Sequence, residues 1–407
     1  MKIHFAHRTF PWESEARGKA HVHCVIIGFG LGEVSEKKLY DYDYDPVNPA
    51  VSVVRNISPY LIEGNDTVAT KRSKPIADVP PMVFGTKVVD DGHFVLDAAE
   101  RADLLRDYPK ISQYIRPFIG GEEFLNGGER WVLWLTNANP TDLRGCPPVM
   151  ERIERVRAFR SASKKGPTVA LALTPAAVGE DRQPSSDYLL FPKVSSERRR
   201  YVPLGFLSKD IVANGSALVV PNASIYQFGV LSSKMHMAWM RQTCGRMKSD
   251  YQYSVSIVYN NFPWPQSATE AQKAAVEKAA QAVLDARAQF MGSAGVAPAV
   301  SGVPPETSSA HTNRRSKVSG ETPDTATGTV ALPKQCTLAD LYDPVAMPPS
   351  LAQAHTELDR AVDRCYRKDP FPSDRARVEY LFQLYEQLTA PLLPVAKTKR
   401  ARRSLAR

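Results

Sequence analysis

The sequence predicts an α+β fold in which strands come first and helices last. Short β-like segments separated by Gly, Pro and Asn recur up to residue 232, and amphipathic helical patterns dominate the chain after it. The chain has 407 residues, of which 43% are hydrophobic. This length and composition predict two or three globular domains with a sizeable core.

A β-hairpin is predicted near the N-terminus. Residues 2–5 have β character, and residues 22–29 are nearly all apolar, a pattern typical of a strand buried on both faces. The polar segment 13–19 between them contains a glycine and predicts a turn. Because an isolated hairpin is unstable, we expect this one to belong to a larger sheet.

The middle of the chain mixes strands with helices. Apolar residues at three-residue spacing predict a helix over residues 149–163, and a second helix is predicted over residues 97–105. Short β-rich runs punctuated by Gly, Pro and Asn predict strands. These runs cover residues 131–135, 188–192, 216–220 and 225–230.

The C-terminal part is predicted to be helical. Apolar spacing predicts helices over residues 269–290, 350–365 and 373–388. Between the first two, residues 291–335 are rich in small and polar residues and almost lack large apolar ones, so we expect disorder there. We expect the basic tail, residues 391–407, to be disordered as well.

Charge and composition narrow the class of partner. The net charge of +9 suggests an anionic partner, but six of these nine charges lie in the acid-free tail after Pro391, so bulk charge is weak evidence about the folded part. The five cysteines form no Cys-x-x-Cys pair, and His21 and His23 lack a third ligand, so no metal site is predicted. Without a signal peptide or an apolar run of about 20 residues, we expect a cytoplasmic protein with no membrane partner.

Two motifs are similar to parts of a methyl-transfer site. Gly28, Gly30 and Gly32 follow a strand, as in loops that hold dinucleotides or S-adenosylmethionine, but their spacing is not Gly-x-Gly-x-x-Gly and no full crossover helix follows. We favour a plain strand exit and predict no bound cofactor.

Asn261 begins an Asn-Phe-Pro-Trp run similar to the loop that holds a flipped adenine, but Phe262 replaces its first proline. A structural turn is favoured, and no catalytic residue is predicted.

Three arginine-rich stretches are candidates for DNA contact. Arginine and lysine bind phosphates or read guanine, glutamate accepts from cytosine, and serine serves either, so a mixed set suits a base-reading loop. A solvated charged face is the alternative interpretation. The candidates are Arg152, Arg155 and Arg160 on the predicted helix; Lys193, Ser195, Ser196, Glu197, Arg198 and Arg200; and Arg241, Arg246 and Lys248.

Several strings, taken in order along the chain, resemble parts of one known family. IHFAHRTFPWESEARGKAHVH, over residues 3–23, resembles the late strands of the methyltransferase domain of MmeI-like restriction–modification adenine methyltransferases. The later strings resemble the target-recognition and C-terminal regions. They are NISPYLI (56–62), FIGGEEF (118–124), VMERIERVR (149–157), PKVSSE (192–197), MHMAW (235–239), SDYQYS (249–254), YNNFPWP (259–265) and LADLYDP (338–344).

This resemblance implies a domain plan. It assigns residues 1–45 to a remnant β-hairpin of a class I methyltransferase sheet and residues 46–232 to a mixed α/β target-recognition domain. It assigns residues 233–390 to a C-terminal helical domain that contains the insert 291–335, and it leaves 391–407 as the basic tail.

The resemblance also implies a function: sequence-specific recognition of double-stranded DNA within a site-specific adenine methyltransferase. The 193–200 segment would read base edges, and the other six basic candidates, Arg152, Arg155, Arg160, Arg241, Arg246 and Lys248, would hold phosphates. Phe10 or Trp12 would stack on the flipped adenine.

Catalysis is expected to need a partner. The family's S-adenosylmethionine glycine motif and Pro-Pro loop do not occur in these 407 residues, so we expect this chain to be inactive alone. A separately encoded methyltransferase core is the expected partner and would bind S-adenosylmethionine. Two alternative functions remain open: an intact S-adenosylmethionine-dependent methyltransferase that uses residues 28–32, and a non-enzymatic specificity subunit.

Overall fold

The computed structural model of the chain describes residues 1–12, 22–42, 45–291 and 336–390. The predicted turn at 13–19 and the tail lie outside these residues, as does the predicted disordered insert apart from Met291. Several small sheets and a set of C-terminal helices make up the described part, which confirms the predicted α+β class.

The strands form where short apolar runs lie between turn-forming residues. Predicted strands at 131–135, 188–192 and 216–220 correspond to β8, β9 and β13 below. In chain order the strands are β1 (Lys2–Trp12), β2 (Val22–Gly30), β3 (Lys37–Asp41), β4 (Ala50–Val54), β5 (Val83–Phe84), β6 (Val95–Leu96), β7 (Ile115–Ile119), β8 (Trp131–Leu133), β9 (Tyr188–Pro192), β10 (Val194–Ser195), β11 (Gly205–Leu207), β12 (Val212–Ala213), β13 (Ala217–Pro221), β14 (Gly245–Met247) and β15 (Asp250–Gln252).

The long helices confirm the predictions from apolar spacing. The five predicted helices correspond to α1, α4, α8, α10 and α11, with ends shifted by no more than a few residues. In chain order the helices are α1 (Ala98–Asp107), α2 (Gly121–Asn126), α3 (Pro140–Arg144), α4 (Pro147–Ser161), α5 (Gly166–Ala170), α6 (Ile225–Leu231), α7 (Lys234–Thr243), α8 (Glu270–Ala288), α9 (Leu338–Leu341), α10 (Pro349–Tyr366) and α11 (Asp374–Thr389).

The N-terminal sheet has the strand order β2-β1-β3-β4. β1 and β2 pair antiparallel, which confirms the predicted hairpin, and β3 runs parallel to β1 on its other side. Ala6 and Leu39 are buried in a small core on one face. However, Val25 and Ile26 of β2 are exposed, and Phe29 is 60% exposed. Val25 and Ile26 point to opposite faces of the strand, so the predicted burial of β2 on both faces is wrong within the described residues: β2 lies at the edge of the sheet, and neither face is fully covered.

The largest core joins the middle of the chain to its C-terminal helices. Its sheet has the order β11-β9-β13-β5, and every residue of β9 is buried. Apolar side chains of α6, α7, α8, α10 and α11 pack in the same cluster, whose members run along the chain from Ile62 to Tyr385 in α11. One core thus crosses residue 232, so a domain boundary at that position stays a prediction.

A second core surrounds the sheet of order β12-β7-β8-β6. Helix α4 packs against this core through Val149, Ile153 and Val156, whereas Met150 is only partly buried and Phe159 is exposed, so the predicted three-residue spacing of 150, 153, 156 and 159 marks the buried face only in part. Asp97 is the N-cap of α1. Its side chain accepts from the Glu100 amide, and the Glu100 side chain accepts from the Asp97 amide. This reciprocal cap fixes the start of α1.

One predicted strand folds as a helix. The apolar run at 225–230 predicted a strand, but Ile225–Leu231 forms α6. Ser224 caps this helix by accepting from the Gln227 amide, and the Gln227 side chain accepts from the Ser224 amide. The Ser-x-x-Gln spacing is a helix-start signal that outweighs the β propensity of the run. Within the described residues, no helix is long and apolar enough to cross a membrane.

Candidate nucleic-acid interface

A three-stranded sheet of order β10-β15-β14 brings two of the arginine-rich stretches together. Ser195 of β10 pairs with Tyr251 of β15, and β15 pairs with β14 to form the 245–252 hairpin. Tyr253, just after the hairpin, donates its amide to the Lys193 carbonyl at 2.8 Å. The 193–200 loop therefore lies beside the hairpin, although the two are far apart in sequence.

The hairpin presents cations at an exposed tip. Residues 245–249 are all exposed, and Lys248 lies at the turn with φ 56°, a left-handed conformation that suits a tight connection. The Arg246 guanidinium lies 4.1 Å from the centroid of the Tyr251 ring, and its Nη1 donates to the Ser249 carbonyl at 2.8 Å. These contacts orient Arg246 before any ligand binds.

The 193–200 loop combines exposed cations with one carboxylate. Arg198 and Arg200 are exposed. A Glu197 carboxylate oxygen lies 3.5 Å from Nη1 of Arg246 and links the loop to the hairpin. Ser195 is buried, and its hydroxyl has no hydrogen-bond partner in the described part of the chain. Ser196 Oγ accepts from the Arg198 amide at 3.3 Å.

Lys193 faces an aromatic ring that the sequence did not indicate. Phe84, in the two-residue edge strand β5, is partly exposed, and Lys193 Nζ lies 5.5 Å from its ring centroid. The Arg182 guanidinium lies 5.9 Å from the same ring. A two-residue strand has too little periodicity to be recognised in a sequence, so only the structure reveals this neighbour.

Arg160 is a structural residue, and this corrects its assignment to phosphate. Its side chain is 0% exposed, and all of its guanidinium donors are taken by backbone carbonyls. Nη2 donates to the carbonyls of Val88 and Ala177 at 3.0 and 2.8 Å. The remaining nitrogens donate to the carbonyls of Val89, Leu171, Thr174 and Pro175. Burial lowers the pKa of Arg160, and no donor is left for a ligand.

The other candidate arginines, on α4 and α7, differ in the protein groups that they already contact. Arg152 donates to the His93 carbonyl at 2.8 Å and pairs with Glu100 at 2.6 Å. Arg241 pairs with Asp374 at 3.1 Å and also donates to loop carbonyls. Arg155, by contrast, is 57% exposed and pairs with Glu151, one turn earlier on the same helix. It is the α4 candidate best placed to meet an external anion. α4 packs on the second core, whereas the 193–200 loop adjoins the largest core.

Aromatic rings line one face of the N-terminal sheet. The Phe10 ring stacks on Tyr42 at 4.9 Å, and the His7 ring stacks on Tyr40 at 4.1 Å. Nδ1 of His7 also hydrogen-bonds to the Tyr42 hydroxyl at 2.6 Å. Trp12, at the end of β1, is 53% exposed, so it is the better placed of the two predicted stacking residues to meet a base.

Gly28 and Gly30 do not form a cofactor cradle, although the space beside Gly32 is open. Gly28 and Gly30 belong to β2, and a Cβ at either position would meet the ring of Phe5 at 2.1 Å or of His4 at 2.6 Å. The space beside them is filled by side chains of the same sheet, which does not fit S-adenosylmethionine. No group of three potential ligands among the described residues fits a metal ion, and His21 lies outside those residues.

The Asn-Phe-Pro-Trp run lies inside the protein, which is what a structural turn requires. Asn261 is 0% exposed. Its Nδ2 donates to the carbonyls of Thr70, Ser256 and Ile257, and its Oδ1 accepts from Arg72 Nε at 2.8 Å. With its amide satisfied by protein groups, Asn261 cannot hold the amine of an extruded base.

Comparisons with known proteins agree with this architecture. Family models of the MmeI target recognition domain, C-terminal domain and DNA-methyltransferase domain match residues 63–266, 324–393 and 1–41. DNA methyltransferase A of Bacillus subtilis (strain 168) is 34% identical over 389 residues, which cover 96% of this chain and 39% of that protein.

A solved structure is similar over the same extent. It is the Type IIL restriction-modification enzyme MmeI in complex with DNA, with a TM-score of 0.76 and 39% identity over 96% of this chain and 46% of that one. The chain thus spans less than half the length of either relative. Because the target-recognition model alone matches half of the sequence, this chain belongs to the MmeI family.

Proposed function

We propose that this chain recognises a specific sequence in double-stranded DNA, as the target-recognition part of an adenine-specific DNA methyltransferase of a restriction–modification system. The observation that carries the proposal is the β10-β15-β14 sheet, which places exposed cations from two distant segments side by side. The similarity to an MmeI structure that contains DNA supports it.

The 193–200 loop has the chemistry needed to read bases. Arg198 and Arg200 are exposed and suit bidentate contact with guanine, and Glu197 can accept from cytosine N4. The contact between Glu197 and Arg246 is long, at 3.5 Å, so a base edge can replace it at little cost. Ser196 completes the proposed reading set with Lys193, whereas Ser195 is left out because its hydroxyl is buried.

Phosphate contacts are assigned to exposed cations. Arg155, Arg246 and Lys248 keep this role because each is exposed. We leave out Arg152 and Arg241 because their side chains are only 23% and 31% exposed and already bind protein carbonyls and carboxylates, and Arg160 because it is buried. Phosphate contacts fix the position of a protein on the duplex without reading its sequence.

Methyl transfer requires groups beyond those described. The exposed apolar edge strand β2 lies in the segment that matches a DNA-methyltransferase domain, which supports a separately encoded methyltransferase core as the partner that covers it. That core would bind S-adenosylmethionine, the donor of the methyl group. In the chain itself, Trp12 would stack on the extruded adenine, as apolar side chains do for flipped bases.

Two measurements on the purified chain test this function. Selection from a library of random duplexes should enrich one sequence, and affinity for that duplex should fall with salt by about 0.9 log units per log unit of salt for each phosphate contact. With labelled S-adenosylmethionine, the chain alone should transfer no label to the selected duplex. A pool that stays random after repeated selection would exclude sequence recognition, and transfer by the chain alone would exclude the need for a separate core.

A further inference from the structure

The backbone that leaves the 193–200 loop is held by a guanidinium from another element. Arg241 of α7 donates from Nη2 to the Arg200 carbonyl at 3.1 Å and lies 3.5 Å from the Arg199 carbonyl. Its Nη1 donates to Asp374, the first residue of α11, at 3.1 Å. One side chain therefore ties the end of the loop to two C-terminal helices.

The next residue anchors the chain in the core. Tyr201 is 0% exposed, and its hydroxyl donates to a carboxylate oxygen of Asp359 on α10 at 2.7 Å. The other oxygen of Asp359 accepts from the Lys234 amide at 2.7 Å. The Tyr201 ring stacks on His355 of the same helix, with centroids 4.0 Å apart and planes at 14°. Both the hydroxyl and the ring of Tyr201 are thus fixed by α10.

These contacts continue into a buried polar network. The Tyr342 hydroxyl lies 2.7 Å from Nε2 of His355 and accepts from Nε of Arg287 at 2.7 Å. Arg287, on α8, also donates to the carbonyl of Leu204, a few residues beyond the loop. Because each buried donor here would be costly to leave unpaired, the network favours one arrangement of the backbone after the loop.

We propose that Arg241, Tyr201 and Asp359, which we call the clamp, are positioning residues for DNA sequence discrimination. The inference rests on the proposed function of the 193–200 loop. The clamp holds the loop so that Arg198 and Arg200 meet base edges in one register, although no clamp residue itself contacts DNA. The C-terminal helices thereby take part in choosing the sequence.

The physical reason is the difference between the two kinds of contact. A bidentate contact with a base requires its donors in a narrow geometry, and ordering a free loop at the moment of binding lowers affinity. Phosphate contacts tolerate a displaced loop, because they depend on charge more than on register. Loosening the clamp should therefore weaken binding to the recognised sequence and leave non-specific binding unchanged.

The test uses the full chain with two duplexes of equal length: one selected by the wild type and one scrambled. The variants are Arg241→Lys and Tyr201→Phe, with Arg360→Lys as the control, since Arg360 is 61% exposed on α10 and pairs with Glu357 on the same helix. Arg241→Lys keeps the charge that faces Asp374 but loses the fork that binds the loop carbonyls. Discrimination is the dissociation constant for the scrambled duplex divided by that for the selected duplex. We expect this ratio to fall about tenfold in the clamp variants and to stay at the wild-type value in the control.

Three results would overturn the proposal. The first is an unchanged ratio in Arg241→Lys, a variant that keeps the positive charge facing Asp374 and whose fold a thermal melt verifies. The second is an equal loss of affinity for both duplexes, which would mean a general effect on the fold. The third is a wild-type chain that binds both duplexes equally, which would remove the proposed function first and the role of the clamp with it. A tenfold loss confined to the selected duplex, with the same salt dependence, supports the clamp.

Discussion

Ser195 pairs with Tyr251 across the antiparallel ladder of β10 and β15. This pair fixes the register between the 193–200 loop and the 245–252 hairpin, since a shift of one residue would turn every side chain of a strand to the opposite face. Glu197 of the loop and Arg246 of the hairpin then come within 3.5 Å of each other. The proposed interface is thus built on hydrogen-bonded strands, which position side chains more accurately than a free loop does.

The first prediction separates base reading from phosphate binding. Arg198→Ala should weaken binding to the selected duplex by about 1–3 kcal/mol and relax the preference at one base position, because a bidentate contact is lost. Arg155→Ala should weaken binding to all duplexes alike and lower the salt dependence by about one phosphate. Both effects are measured by fluorescence anisotropy over a range of salt concentrations.

Arg360→Ala serves as the control for removing an exposed arginine, because it changes the net charge by the same amount outside the proposed interface. Its affinity for both duplexes should match that of the wild type. If Arg198→Ala and Arg155→Ala gave the same losses on every duplex, the division of roles between the loop and α4 would be refuted.

The second prediction compares two arginines of α4. Arg160→Met should lower the free energy of unfolding by at least about 3 kcal/mol, since several buried carbonyls lose their donor at once. Arg155→Met, on an exposed face of the same helix, should change it by no more than about 0.5 kcal/mol. Chemical denaturation measures both values. Similar stabilities for the two variants would mean that the Arg160 contacts contribute little.

Much of the secondary structure could be predicted from the sequence. The helices at 149–163 and 373–388 carry apolar residues at regular spacing, and the structure confirms both as α4 and α11. The run at 225–230 is the exception, because its β-branched and aromatic residues favour a strand whereas the Ser224 cap starts a helix. Local propensity is a poor guide to the secondary structure of such short segments, because tertiary packing determines which face of the segment is buried.

The candidate site could be predicted only as separate stretches of sequence. Composition identified the 193–200 segment and the region around Arg246, but their pairing through β10 and β15 depends on long-range hydrogen bonds that leave no local pattern. Composition also cannot distinguish Arg155 from Arg160, because both lie on one arginine-rich helix. Arg155 and Arg160 are five positions apart and therefore lie on different faces of α4. The face decides whether an arginine contacts solvent or backbone carbonyls.

The third prediction concerns the edge strand β2. Exposed apolar side chains on a free strand edge promote pairing between copies, so Phe29→Lys should reduce self-association of the purified chain in sedimentation velocity. Because Phe29 is 60% exposed, the melting temperature should stay near that of the wild type. Leu39→Lys is the contrasting change and should unfold the N-terminal sheet, since Leu39 is fully buried. Unchanged self-association in Phe29→Lys would indicate that β2 is not the surface involved.

The fourth prediction concerns the pH dependence of stability at Asp359. Burial raises the pKa of this carboxyl from 3.8 to about 6, against the opposing effects of the hydrogen bonds from Tyr201 and the Lys234 amide, while nearby Asp363 adds to the rise. The folded state therefore binds the proton more tightly than the unfolded state does. The stabilisation from this group is present at low pH and is lost as the pH rises from about 4 through about 6.

Asp359→Asn removes this titration and keeps a side chain of similar shape. Relative to that variant, the wild type should lose about 2 kcal/mol of unfolding free energy between pH 4 and pH 7, which is most of the effect of a pKa shift from 3.8 to about 6. The buried His236, whose pKa burial lowers to about 3, destabilises both proteins alike as the pH falls, so it cancels in the difference. Denaturant titrations of both proteins across this range measure the difference directly. Parallel curves would mean that Asp359 keeps its ordinary pKa in the folded chain.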